Sequence, residues 1–167
     1  MQQDDKLIMD RHAASSKIQG SDNVGILPKP KFNFTQEVIM RIAMLSAESL
    51  HSISSGGLGV HVTELAAGLH RRGHELHVIT RRKEDQNYYD GIDGVHYHRV
   101  DHGLSENFVE CMDYMCKAMA HRFHEVTSMI GKFELVHAHD WLAANAMKYV
   151  MDGFNTPGVI TMHSTEY

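Results

Sequence analysis

Residues 54–80 read SSGGLGVHVTELAAGLHRRGHELHVIT, and the way this stretch divides decides the fold. Its first six residues, Ser54-Ser55-Gly56-Gly57-Leu58-Gly59, make a glycine loop that lets backbone turn tightly or come close to another group. Val60, Leu65, Ala66 and Leu69 then recur at roughly helical spacing, which predicts a helix. Arg71-Arg72-Gly73 supplies a basic last turn and a glycine stop. Leu76 to Thr80 follows as a short apolar run suited to a strand. Upstream, Met40 to Leu45 is another apolar run, as expected of a strand buried on both faces in a parallel sheet. Strand, glycine loop, helix and strand make one βαβ unit.

Outward from this unit the alternation continues. The polar segment Arg81 to Gly94 carries two turn dipeptides, Asp90-Gly91 and Asp93-Gly94, ahead of a third strand at Val95 to Val100. From Asn107 to Ile130, Phe108, Met112, Met115, Cys116, Met119, Phe123, Val126 and Ile130 recur every three or four residues, the pattern of an amphipathic helix. The methionine stripe is expected to fill core, not to form a soft-metal surface. Gly131 ends that helix. Leu135 to Asp140 reads as a fourth strand, Trp141 to about Met151 as a short helix, and Val159 to His163 as a fifth strand. The expected fold is α/β, a Rossmann-like doubly wound parallel sheet. Residues 1–37 lack sustained periodicity and are expected to be a mobile extension, leaving 38–167 as the folded domain.

Composition narrows the function classes. At 167 residues, 43% hydrophobic and 22% charged, the chain has room for one domain with a real core. No apolar run approaches the roughly 20 residues that span a bilayer, and the opening MQQDDKLIMDRHAASSKIQG does not read as a secretory signal. A cytoplasmic location is therefore expected. A formal charge of −5 offers no basic stripe for a phosphate backbone, which argues against nucleic acid as partner. Cys111 and Cys116 fit neither a CxxC nor a zinc spacing and are expected to be buried thiols.

Ligands of such sheets gather outside the carboxyl ends of the strands. Three segments lie there: the glycine loop, His137 to Trp141, and His163-Ser164-Thr165-Glu166. A helix that follows a glycine loop aims free amides and the positive end of its dipole at whatever binds the loop. A tight turn at positive φ would also explain one glycine, though three less well. The loop matches neither GxGxxG nor a P-loop. His137 and His139, two apart in a strand, share a face; a metal pair is geometrically allowed, but two ligands lack an obvious third or fourth, and no metal is expected. His77, His96, His98 and His102 are expected at the surface or half-buried. His163 stands either as a hydrogen-bonded structural residue or as a donor to a polar ligand.

In combination, RIAMLSAE (41–48), residues 54–80, LVHAHDWLAANA (135–146) and VITMHSTEY (159–167) resemble the retaining glycosyltransferases of the glycogen and starch synthase type and of family 4. The likeness runs from about Met40 to Tyr167 and is nearest to glycogen-synthase-like prokaryotic members. It implies the GT-B architecture, two Rossmann-like domains with the active site between them. It further implies that Gly56, Gly57 and Gly59 lie near the diphosphate and sugar of a nucleoside diphosphate sugar, and that Asp140 and His163 serve catalysis on the sugar side. His139 and Ser164 would join the substrate contacts, with Trp141 in support. No cofactor is implied. Members that use ADP-glucose carry a lysine two positions before the paired glycines, where Ser54 stands here, so the family 4 pattern is favoured. The implied reaction of the parent enzyme is transfer of a hexosyl group, with glucosyl the expected one, to a sugar or glucan acceptor with retention. The C-terminal GT-B domain is not among these residues, so the chain alone is expected to be inactive. The alternatives are a non-catalytic carbohydrate- or nucleotide-binding module of the same fold, and a nucleotide-dependent oxidoreductase. Against the latter stand the missing GxGxxG and Thr80-Arg81 where an acid should end the second strand.

Overall fold

The computed structural model describes residues 38–103 and 105–164. The expected extension at 1–37, and Thr165, Glu166 and Tyr167, lie outside the described residues. The elements run β1 (Arg41–Ser46), α1 (Gly57–His70), β2 (Glu75–Arg81), β3 (Tyr89–Ile92), β4 (Val95–Val100), α2 (Phe108–Ile130), β5 (Leu135–His139), α3 (Trp141–Gly153) and β6 (Gly158–Thr161). They build a six-stranded sheet in the order β3-β4-β2-β1-β5-β6. Every neighbouring pair is parallel except β3 with β4.

The antiparallel edge is where sequence and structure differ. Asp90-Gly91, read as a turn, lies inside β3, and Asp93-Gly94 alone makes the reversal, with φ of 50° and 79°. A strand of four residues whose side chains alternate between exposed and half-buried offers no apolar run to detect.

Helices cover both faces. Ile42, Met44, Leu76, Val78, Val95 and Tyr97 pack with Val62 and Ala66 of α1. Ala43, Leu45, Ile79, Val136 and Ala138 pack on the other face with α2 and α3, where Met115, Met119 and Phe123 are fully buried. The methionine stripe is thus core, and each such side chain contributes about 1.5–3 kcal/mol through burial. Asn107 caps α2 by accepting from the amides of Val109 and Glu110 at 3.0 and 3.4 Å, and Gly131 at φ 96° ends it. Within α2, Cys116 is buried and Cys111 half-buried, both as free thiols. Burial pushes the Cys116 thiol up to about 11. Among the described residues, no helix is long and apolar enough to cross a membrane.

Candidate functional site

The loop between β1 and α1 is braced from beneath before it reaches the glycines. Ser49 Oγ donates to Ser52 Oγ at 2.8 Å, and Ser52 Oγ meets Thr80 Oγ1 at 3.0 Å. The Leu50 amide donates to Thr63 Oγ1 at 3.0 Å. Glu48, nearly buried, accepts from the Ser55 amide at 3.0 Å and from the Ser55 hydroxyl, and lies 3.8 Å from Arg81. None of these supports was singled out in the sequence. Their signal was a hydroxyl-rich stretch with one acid between a strand and a helix.

Upon that platform the three glycines play two different parts. A Cβ on Gly59 would run into Ser54 Oγ and stand 3.0 Å from Ser54 Cβ and 3.3 Å from the Ser49 carbonyl carbon, so Gly59 lets the loop lie close against the helix and serves the protein's own packing. At Gly56 and Gly57 a Cβ would meet nothing within 4 Å. Gly56 is the N-cap of α1 and makes no side-chain cap hydrogen bond, so amides of the first turn point outward without an internal acceptor from the cap. Open space in front of free amides is the geometry of an anion site.

His61 follows Gly57 by four residues and so lies on the same helix face one turn on. Its ring centroid is 4.6 Å from that of His163 and 5.5 Å from that of His139. His139 Nδ1 and His163 Nε2 are 3.4 Å apart. The helix thereby meets the ends of β5 and β6, and His61, absent from the sequence expectations, joins the two histidines that were present. His139 is fully buried. Burial, reinforced by His137, His61 and His163, lowers its pKa to about 3. Burial and then the neighbouring His163 also lower that of His61. His137 does share a face with His139, at 4.1 Å between ring centroids. Its Nε2 is taken by Thr161 Oγ1 at 2.8 Å.

Asp140 is the junction between β5 and α3. Its backbone adopts φ 65°, ψ 167°, a region costly for any residue with a Cβ and held only where surroundings fix it. Here they do: Oδ1 accepts from the Trp141 amide at 2.9 Å and the Ser164 amide at 3.2 Å, and Oδ2 from the Ser164 hydroxyl at 2.9 Å. The Asp140 amide donates to the Thr161 carbonyl at 2.8 Å. Burial by itself would raise the carboxyl's pKa, but the Trp141 and Ser164 donors outweigh it and hold the group below the usual range. Asp140 and Ser164 thus tie the segment bearing His163 to the start of α3. Trp141 packs its ring on Phe108 of α2, 6.1 Å between centroids.

Of the remaining histidines, His96 and His102 are half-buried as expected, but two strand residues are not. His77 and His98 are buried, not surface or half-buried. His77 Nδ1 meets His98 Nε2 at 3.0 Å, His77 Nε2 meets Glu75 at 3.0 Å, and His96 Nδ1 meets the Tyr89 hydroxyl at 2.8 Å. Strand β3, the element the sequence hid, supplies Tyr89 and with it the cover for this cluster.

Comparison with known proteins agrees with this architecture. The profile of Glycosyltransferase Family 4 matches residues 55–167. An uncharacterised glycosyltransferase of Methanocaldococcus jannaschii is 33% identical over 127 residues, covering 76% of this chain and 32% of the relative. A D-inositol 3-phosphate glycosyltransferase of Kineococcus radiotolerans is 31% identical, covering 75% and 31%. A glycogen synthase of Mycobacterium tuberculosis is 28% identical, covering 76% and 34%. Among solved structures, sucrose-phosphate synthase of Thermosynechococcus elongatus superposes with a TM-score of 0.64 at 20% identity, over 75% of this chain and 33% of the other; this likeness speaks to fold alone. The chain spans about a third of the length of these proteins. With the glycine-loop βαβ unit, the HAHDW junction and the matched profile in agreement, the chain belongs to glycosyltransferase family 4 and carries a domain of the GT-B type.

Proposed function

We propose that these residues form the amino-terminal half of a retaining hexosyltransferase that moves a glucosyl group from a nucleoside diphosphate sugar to a sugar or glucan acceptor, without a metal or other cofactor. The observation that carries this reading is α1's uncapped amino end, with two glycines facing open space, on the same helix as His61, whose ring packs 4.6 Å from that of His163. As the bond from the anomeric carbon to the diphosphate breaks, negative charge gathers on the departing phosphate, and outward-facing amides are preorganised to receive it. His163 reaches the sugar from β6. Asp140 acts as a positioning residue, because its carboxylate is already occupied by Trp141 and Ser164. Ser164 shares that task and His139 backs His163. The nucleotide itself is held mainly by a second domain. The inositol phosphate in one relative's name makes a phosphorylated polyol the competing acceptor.

The test complements the 167-residue chain with the carboxyl-terminal half of a family 4 relative and assays ADP-, UDP- and GDP-glucose with glucan and inositol phosphate acceptors. No transfer is expected from the chain alone. Transfer is expected on complementation, and Gly57→Val should lower it about 10²-fold or more by holding the diphosphate away. A chain that saturates with glucan by itself, and stays inactive with every partner half, would instead be a binding module.

A further inference from the structure

We propose that His61, His139 and His163 form a three-imidazole site for a transition-metal dication, with zinc as the fitting ion, and that its occupancy closes the sugar end of the cleft. One nitrogen from each of the three rings lies within 4.8 Å of the others. Zinc binds imidazole at about 2.0–2.1 Å, so a tetrahedral ion places neighbouring nitrogens about 3.3–3.4 Å apart. The His139 and His163 nitrogens already stand at 3.4 Å, long for a hydrogen bond between two rings but the spacing of two ligands on one ion. His61 and His163 are exposed while His139 is fully buried. The fixed ring supplies an anchor, and the two exposed rings have the freedom to close the remaining gap.

The donor type also suits a metal. Imidazole favours zinc, copper and nickel over magnesium or calcium. Three protein ligands leave a fourth position open toward the cleft. His137 is not a ligand, because Thr161 holds its Nε2.

The ion is not part of the transfer chemistry. It recruits His163, the residue assigned above to the sugar, so zinc acts as an inhibitor; that consequence rests on the proposed function, whereas binding does not.

The test titrates the isolated chain with zinc alone at pH 7.4, by calorimetry and by competition with a chromogenic chelator. One ion per chain is expected. His61→Gln and His163→Gln should each weaken binding at least ten-fold, and His121→Gln, on the exposed face of α2, should leave it unchanged. Circular dichroism of both cleft variants should match that of the parent, since neither side chain is buried. The absence of one-to-one binding, or equal affinity in the His61→Gln and His163→Gln proteins, overturns the site. In the complemented enzyme zinc should suppress transfer and chelator restore it. Binding without inhibition would leave the metal site standing and overturn the sugar role of His163.

Discussion

Two histidine clusters sit on one sheet and differ in almost everything that decides chemistry. His77, His96 and His98 lie near the amino ends of β2 and β4, on the face covered by α2, and their contacts close on one another, on Glu75 and on Tyr89. His61, His139 and His163 lie at the carboxyl ends of β5 and β6, on the face covered by α1, with two rings exposed. The same side chain thus serves as core material at one end and as an open donor set at the other. Burial lowers the pKa of His98 and of His139 alike to about 3, so titration alone does not separate the clusters. Position along the strand and an open side do.

The sharpest test substitutes one residue from each cluster. In the complemented enzyme, His163→Ala should reduce kcat/KM about 10²-fold, the scale of losing one preorganised donor, with little change in Tm. His77→Ala should do the opposite: it strands Glu75 and His98, lowers stability by about 2–4 kcal/mol and Tm by on the order of 10 °C, and leaves kcat/KM of the folded protein near its parent value. A His77→Ala enzyme that folds but does not transfer would break the comparison.

A second measurement treats the clusters together. Both hold imidazoles neutral, so their folded pKa values lie below the unfolded value near 6.5. The unfolded chain therefore binds more protons between those limits. The stabilisation is fully present above about pH 6.5 and is lost as pH falls toward 3, by up to about 1.4 kcal/mol per pH unit for each such histidine. Urea unfolding at pH 7.5, 6.5, 6.0 and 5.5 should show that decline, and replacing His98 with Leu should flatten it. A pH-independent midpoint across this range would contradict the buried neutral state.

Smaller again is the expected effect at Asp140. Because φ there is positive, Asp140→Ala keeps the strain and loses the hydrogen bonds, while Asp140→Gly loses the bonds but also relieves the strain. The glycine variant should be the more stable of the two by about 1 kcal/mol, the reverse of the usual order. Last, the chain stripped of metal should still unfold cooperatively, since two of the three cleft imidazoles are exposed, and added zinc should raise its Tm by binding the folded state. Loss of the cooperative transition on stripping would make a metal part of the fold.

What could be read in advance follows the same division. Long apolar runs and three- or four-residue periodicity announced β1, β2, α2 and β5, because burial on both faces, or along one helix stripe, leaves a one-dimensional trace. Strand β3 left none: Tyr89, Asp90 and Gly91 pair with β4 through backbone while much of their surface stays in solvent. At the site, Gly56, Gly57, His139 and His163 were legible as residues at strand and helix ends. His61 was not, since its significance depends on α1 being placed against His163, just past β6, a contact across 102 positions of chain. Nor could the sequence separate Gly59, needed for close approach to Ser54, from Gly57, which faces open space.

The two thiols of α2 offer an experimental handle on all of this. Cys116, buried and with its pKa raised to about 11, stays protonated and sheltered from alkylating reagents at neutral pH. Cys111, one turn into the helix and half-buried, donates toward the Gly103 carbonyl at 2.9 Å. A maleimide dye should therefore attach at a single point near the amino end of α2 without any engineered cysteine. That dye would report, by its spectrum or by energy transfer to a labelled partner half, when a second domain closes over the carboxyl ends of the strands.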